Sequence, residues 1–161
     1  MLVPQFLGQP FKYVGEKSDS DTGSGRTSGE ATTGIQIERH GFRNNSEKKY
    51  ITIKIEKLTG RNWYFNPGFY KFKTVYDSGK KSYANKRYEY CVFPYKNKDN
   101  RYFLVKALGR LSGPKNKTKL QIIYEKSVDG QWGGLGTLSV DQREELNSFI
   151  ADSEKDIQII E

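Results

Sequence analysis

The sequence predicts a mainly β domain (α+β only in the minority), an open β-barrel or pseudobarrel with one or two helices packed on it. Three observations predict it. Several short segments alternate apolar with polar residues, the period of a half-buried strand. The apolar content is aromatic and β-branched, with 11 Tyr, 9 Phe and 2 Trp among 161 residues, and such side chains favour strands. Only one segment, near the C-terminus, has clear helical spacing.

Residues 11–14 read as a short strand. Residues 16–33, rich in Ser, Gly, Thr and Asp, read as a long mobile loop. Residues 34–38 alternate and resume strand character. Residues 50–57 are the clearest strand, with Ile51, Ile53 and Ile55 on one side and Thr52, Lys54 and Glu56 on the other. A turn over 58–62 leads to a short strand start at 62–65, broken at Asn66, Pro67 and Gly68. In 69–76, Tyr70, Phe72, Thr74 and Tyr76 share a face. Residues 77–87 read as a polar basic loop. Residues 88–93 read as a strand stopped by Pro94. Strands at 101–108 and 119–125 flank a basic loop over 109–118. Ser139 with Gln142 resembles a capping box, and Asp141 suits the positive end of a helix. Leu146, Phe149 and Ile150 form its apolar stripe. Residues 156–161 read as a final edge strand. No internal repeat is visible.

Length suits one domain over residues 1–161. The apolar ending of the chain leads to the expectation of a domain excised from a longer protein. No segment approaches 18 uninterrupted apolar residues, so no membrane-spanning helix is expected. The first residues lack the basic start and long apolar core of a signal peptide. The single cysteine, Cys91, excludes an internal disulfide and an all-cysteine zinc site. It lies in an apolar run and reads as a buried thiol. A reducing, cytoplasmic setting fits.

Charge is strongly segregated. Residues 41–120 hold 20 Lys+Arg against 5 Asp+Glu, a net of +15. The first 40 residues hold 4 against 5, and the last 41 hold 3 against 9. These nets, +15, −1 and −6, sum to the overall +8. Basic residues concentrated in one part of a domain are the electrostatic footprint of nucleic-acid binding.

Three segments supply candidate contacts. In 77–87, Lys80, Lys81, Lys86 and Arg87 can neutralise phosphates. Asn85 can bond adenine bidentately and Arg87 guanine. Ser82 can donate a hydrogen bond, and Tyr83 can stack or donate to a phosphate. A solvated hairpin tip is the plainer alternative. In 17–29, small residues let backbone N–H groups approach phosphates. There Lys17, Ser18, Asp21, Thr22 and Arg26 are candidate contacts, with simple disorder as the alternative. Arg43 belongs to the same basic segment. Lys115, Lys117 and Lys119 alternate and would share a strand face, suiting phosphate tracking or protection of an edge strand.

Catalytic signals are thin. His40 is the only histidine, and no partner can be assigned to it. A metal-dependent nuclease needs clustered carboxylates. Glu47-Lys48-Lys49 fits the E-x-K half of a nuclease pattern, but in a polar turn with no strand before it. The glycines of 130–136 lack the Gly-Lys-Ser/Thr ending of a phosphate loop and read as a turn leading into the helix. No cofactor, no metal ligand and no catalytic residue is therefore expected.

Two short strings carry a resemblance. Residues 18–23, Ser-Asp-Ser-Asp-Thr-Gly, are similar to the first-arm string of B-three-like DNA-binding domains of bacterial restriction systems. Tyr76-Asp77-Ser78 with Asn85-Lys86-Arg87 resembles the second arm. The Gly-His-Gln stretch after the first arm is absent; Thr33-Gly34-Ile35-Gln36 stands there. The resemblance implies a pseudobarrel whose two arms grip the major groove. It further implies a non-catalytic targeting module of a restriction complex, such as the N-terminal domain of an McrB-like subunit, with double-stranded DNA and other subunits as partners. A small nuclease and a single-strand or RNA binder stacking bases on Tyr and Phe are the alternatives.

Overall fold

The computed structural model describes residues 11–23, 33–59, 65 and 74–159. They form one antiparallel sheet of seven strands and one α-helix. The strands are β1 (Lys12–Gly23), β2 (Thr33–Asn44), β3 (Lys49–Leu58), β4 (Asp77–Tyr83), β5 (Lys86–Lys96), β6 (Tyr102–Ser112) and β7 (Thr118–Val128). The helix is α1 (Val140–Asp156). Spatial order is β1-β2-β3-β7-β6-β5-β4. Two meanders, β1–β3 and β4–β7, are thus joined by the pairing of β3 with β7. Among the described residues nothing pairs β1 with β4, so the sheet is open and not a closed barrel.

The expected Ile51/Ile53/Ile55 alternation does set the face of β3, with Ile51 and Ile53 buried. Register carries that face across the sheet: Ile51 opposes Tyr124, Ile53 opposes Ile122, and Lys106 opposes Tyr124 from β6. Leu104, Leu108, Ile122 and Tyr124 of this face join Leu146 and Phe149 of α1 in the main core. The Tyr124 and Phe149 rings lie 5.4 Å apart. Truncating an aromatic ring at such a position costs about 3–5 kcal/mol. A smaller cluster of Cys91, Phe93, Val105 and Ala107 occupies the opposite face. Cys91 is the buried thiol the sequence suggests, and burial pushes its pKa up.

The capping box forms as expected. Ser139 Oγ accepts from the Gln142 N–H, and Gln142 Oε1 accepts from the Ser139 N–H. Trp132, from the glycine-rich stretch before the helix, is a core plug: it is buried and donates through Nε1 to Asp129 O.

Several expectations are corrected. In the supposed loop over 16–33, residues 16–23 are strand: β1 runs to Gly23 and pairs with Thr33 there, and 24–32 lie outside the described residues. The cross-strand ladder supplies order that the Ser/Asp/Gly composition conceals. The supposed basic loop over 77–87 is a hairpin, β4–β5, turning at Ala84 and Asn85. Pro94 does not stop β5. It pairs with Leu104 of β6, while the β4 pairing begins only at Asp77↔Val92, so no ladder donor is lost. Lys115, Lys117 and Lys119 do not share a strand face, because Pro114–Asn116 is a 3₁₀ turn and β7 starts at Thr118. The final edge strand is replaced at its start by the last turn of α1, and Ile157 is buried as its cap. The strand expected at 69–76 falls mostly outside the described residues, as does most of that at 62–65; 74–76 is not a strand.

Candidate nucleic-acid interface

The meander order decides which basic residues meet. Antiparallel pairing sends the Gly23/Thr33 end of β1–β2, the end of β3, the β6–β7 connection and the β4–β5 turn to the same end of the sheet. The two hairpins stand at opposite edges, five strand spacings or about 24 Å apart along the sheet. The β6–β7 connection, with Lys115 and Lys117, lies between them.

The β4–β5 turn explains two of its own residues. Ala84 and Asn85 both have positive φ, 44° and 59°, as a two-residue hairpin loop of type I′ requires. Asn tolerates this conformation better than most residues. The Asn85 side chain is exposed, as are those of Lys80, Ser82, Lys86 and Arg87. Lys80 and Arg87 line an open groove of about 260 Å³ with Glu89, Arg110 and Asn116. Arg110 stacks its guanidinium over Tyr88 at 5.7 Å. Among the described residues, its buried Nε has no hydrogen-bond partner. Lys80 and Glu89 approach to only 4.0 Å. Lys80 and Arg87 therefore share one groove, which suits an anionic oxygen, whereas Arg110 turns its guanidinium to the opposite face of the sheet with Tyr88.

Other candidates are committed elsewhere. Lys81 faces α1 and bonds Glu154, and Tyr83 packs edge-on against Tyr88 with its hydroxyl 3.5 Å from Glu154. Burial raises the Tyr83 pKa, with Glu154 adding to it. Neither side chain projects from the hairpin for a ligand. Tyr76 is a core residue: its hydroxyl donates to Gly133 O at 2.7 Å, and burial pushes its pKa to about 12. Arg43 sits at the other end of the sheet, over the Tyr50 ring at 5.4 Å. Lys115 is exposed at φ 58°, whereas Lys117 is half-buried. Lys17 is exposed on β1. Ser18, Asp21 and Thr22 lie on β1 opposite Glu38, Ile35 and Gly34. Arg26 lies outside the described residues.

Acids of the C-terminal segment pair with four of the lysines. Glu154 bonds Lys81 and Lys106, Glu145 lies 3.6 Å from Lys126, and Asp152 and Asp156 hold Lys49 at 3.2 and 3.3 Å. Sequence reasoning could not pair these groups, which are far apart in the chain. The net charge of +15 is thus divided. One sheet face carries the ion pairs with α1, and Lys80, Lys86 and Arg87 are exposed at the hairpin end.

Lys49 explains the E-x-K match. A strand, β2, does precede this turn. Lys49 is buried, and its ammonium sits among Glu47 (2.7 Å), Asp152 and Asp156. Burial opposes its charge, yet Glu47, Asp152 and Asp156 raise its pKa overall. Tyr124 donates to Asp156 at 2.6 Å. The carboxylates hold the lysine itself, an arrangement that anchors α1 to the sheet.

No family model, curated protein or solved structure matches the chain.

Proposed function

We propose that this chain is a non-catalytic duplex-DNA-binding module that engages DNA with the hairpin end of its sheet. The observation that carries the reading is the groove that Lys80 and Arg87 share at the hairpin end of the sheet. Lys80 and Arg87, with Lys86 and Lys115 nearby, take phosphates and fix the register on the duplex. Asn85, at the exposed turn, and Arg87 are the side chains able to read base edges. The paired strands β1 and β2 form the first arm, and β4–β5 the second. A span of about 24 Å is twice the roughly 12 Å width of a major groove. The arms on this reading straddle a stretch of duplex rather than sit side by side in one groove.

The similarity of residues 18–23, and of 76–78 with 85–87, to B-three-like arms supports the narrower reading, a site-specific targeting module of a bacterial restriction system with other subunits as partners. Competition of labelled duplex against unlabelled duplex, single strand and RNA tests the proposal. Duplex competes best if it holds. Stronger competition by single strand moves the function to base stacking on the aromatic residues.

A further inference from the structure

We propose that Glu16, Glu38 and His40 form a binding site for a divalent transition-metal cation of the zinc class, set across the base of the β1–β2 hairpin. Their ligand atoms, one from each side chain, all lie within 4.8 Å of one another. The arrangement follows from strand geometry. Glu38 and His40 are two residues apart on β2 and so share a face. Glu16 of β1 stands directly opposite His40.

That opposition depends on a bulge. The register of β1 shifts between Tyr13, which faces Phe42, and Gly15, which faces Gly41. Val14 is the extra residue, and Gly15 takes φ 142°, a conformation that side chains rarely adopt. Without the bulge Glu16 would oppose Arg39, since the register before it pairs Lys12 with Arg43. Bulges recur where a strand must re-aim a side chain. Here the re-aimed side chain is a carboxylate, delivered to an imidazole that already has Glu38 Oε1 at 2.6 Å from its Nε2.

The rest of the imidazole is arranged as a metal ligand's would be. Its Nδ1 faces Tyr13 Oη at 3.4 Å, the kind of outer contact that orients a ligating histidine. Nε2 points at the Glu38 carboxylate. In a tetrahedral site with bonds of roughly 2.0–2.2 Å, ligand atoms stand about 3.3–3.6 Å apart. The pair at 2.6 Å need only separate by side-chain rotation, with the backbone ladder intact. Two carboxylates and one neutral imidazole offer a charge of −2, which a divalent cation matches. Imidazole with carboxylate suits zinc and its neighbours rather than magnesium or calcium. Three protein ligands leave a fourth position open. Bound metal would staple β1 to β2 within the first arm.

The test exploits His40 being the only histidine, so its ring resonances need no assignment. Untagged protein is titrated with zinc chloride, following the imidazole by NMR and the heat by calorimetry. One equivalent should bind and shift the His40 ring. His40→Gln and Glu38→Gln should each weaken binding by more than the roughly 10–100-fold typical of outer-contact changes. Glu144→Gln, on the helix, should bind as the parent does. Magnesium should leave the ring unshifted. Circular dichroism of each variant checks that the sheet persists; should one unfold, the other and Glu16→Gln are read instead. An unshifted ring at stoichiometric zinc overturns the proposal, as does zinc binding that survives the Glu16→Gln/Glu38→Gln double change, or an equal response to magnesium.

Discussion

Glu154 of α1 closes on Lys106 of β6, a lysine only 2% exposed in the middle of the sheet. The Lys106 ammonium also reaches Ser153 Oγ at 3.2 Å and lies over the Tyr90 ring at 5.4 Å. Burial pushes the Lys106 pKa down, with Glu154 opposing that shift. Burial also works to raise the Glu154 pKa, but Lys106 and Lys81 hold it below the usual carboxylate value. This contact explains how a strongly basic sheet carries an acidic helix on one face.

Breaking the pair should therefore be costly. Removing one partner of a buried pair costs roughly 3–5 kcal/mol. Glu154 is about a third exposed, so Glu154→Gln should lose less, about 2–3 kcal/mol by urea unfolding. Lys106→Met should lose less again, because Glu154 keeps Lys81.

Acid should act through the same carboxylate. Its folded pKa lies below the ordinary 4.5. Its contribution is present above the unfolded value and is lost as pH falls through the folded one. Unfolding curves taken from pH 6 downward should show the parent losing stability below about 4.5 more steeply than Glu154→Gln. Parallel curves would show that Glu154 does not stabilise the fold by its charge.

At the same C-terminal end of the helix, Lys49 and Glu47 should part company. Lys49→Ala strands Asp156, which is 2% exposed, and should cost about 3–5 kcal/mol. Glu47, 43% exposed, should cost no more than about 1 kcal/mol when changed to Ala. Equal losses would mean the turn, not the buried lysine, carries the anchor.

Much of the fold was legible, and the limits have physical causes. Ile51, Ile53 and Ile55 announced β3, and Ser139 with Gln142 announced the start of α1, because both signals are local. The β4–β5 hairpin was hidden because it is an edge: Ser78, Lys80 and Ser82 face water, so no apolar alternation marks the strand. Of the expected DNA contacts, Lys80 and Arg87 do meet in a groove. Lys81 and Tyr83 belong to α1, through a partner 73 and 71 residues away that spacing cannot reveal. The His40 cluster was missed because Glu16 reaches it only through a bulge.

The hairpin turn carries removable strain. Ala84 holds φ 44°, a left-handed conformation that costs a side chain about 1–2 kcal/mol. Part of the gain from glycine is offset by its own entropy. Ala84→Gly should stabilise the fold by about 0.5–1 kcal/mol, read as a higher urea midpoint with an unchanged slope. A destabilised variant would show that the turn is not of the type its φ angles indicate.

The most direct measurement is the salt dependence of duplex affinity, for the parent and for Lys80→Ala, Lys81→Ala and Arg87→Ala. Each phosphate contact contributes roughly −0.9 to the log–log slope, and about four to six contacts are expected of one module. Lys80→Ala should flatten the slope by about one contact, and Lys81→Ala should leave it unchanged. Arg87→Ala should cost about 1–3 kcal/mol on a preferred site, selected from a random pool, and little on random duplex. A slope of this size, reduced by Lys80→Ala and not by Lys81→Ala, is the predicted result. Affinity that does not vary with salt, or no binding at low salt, would contradict the account.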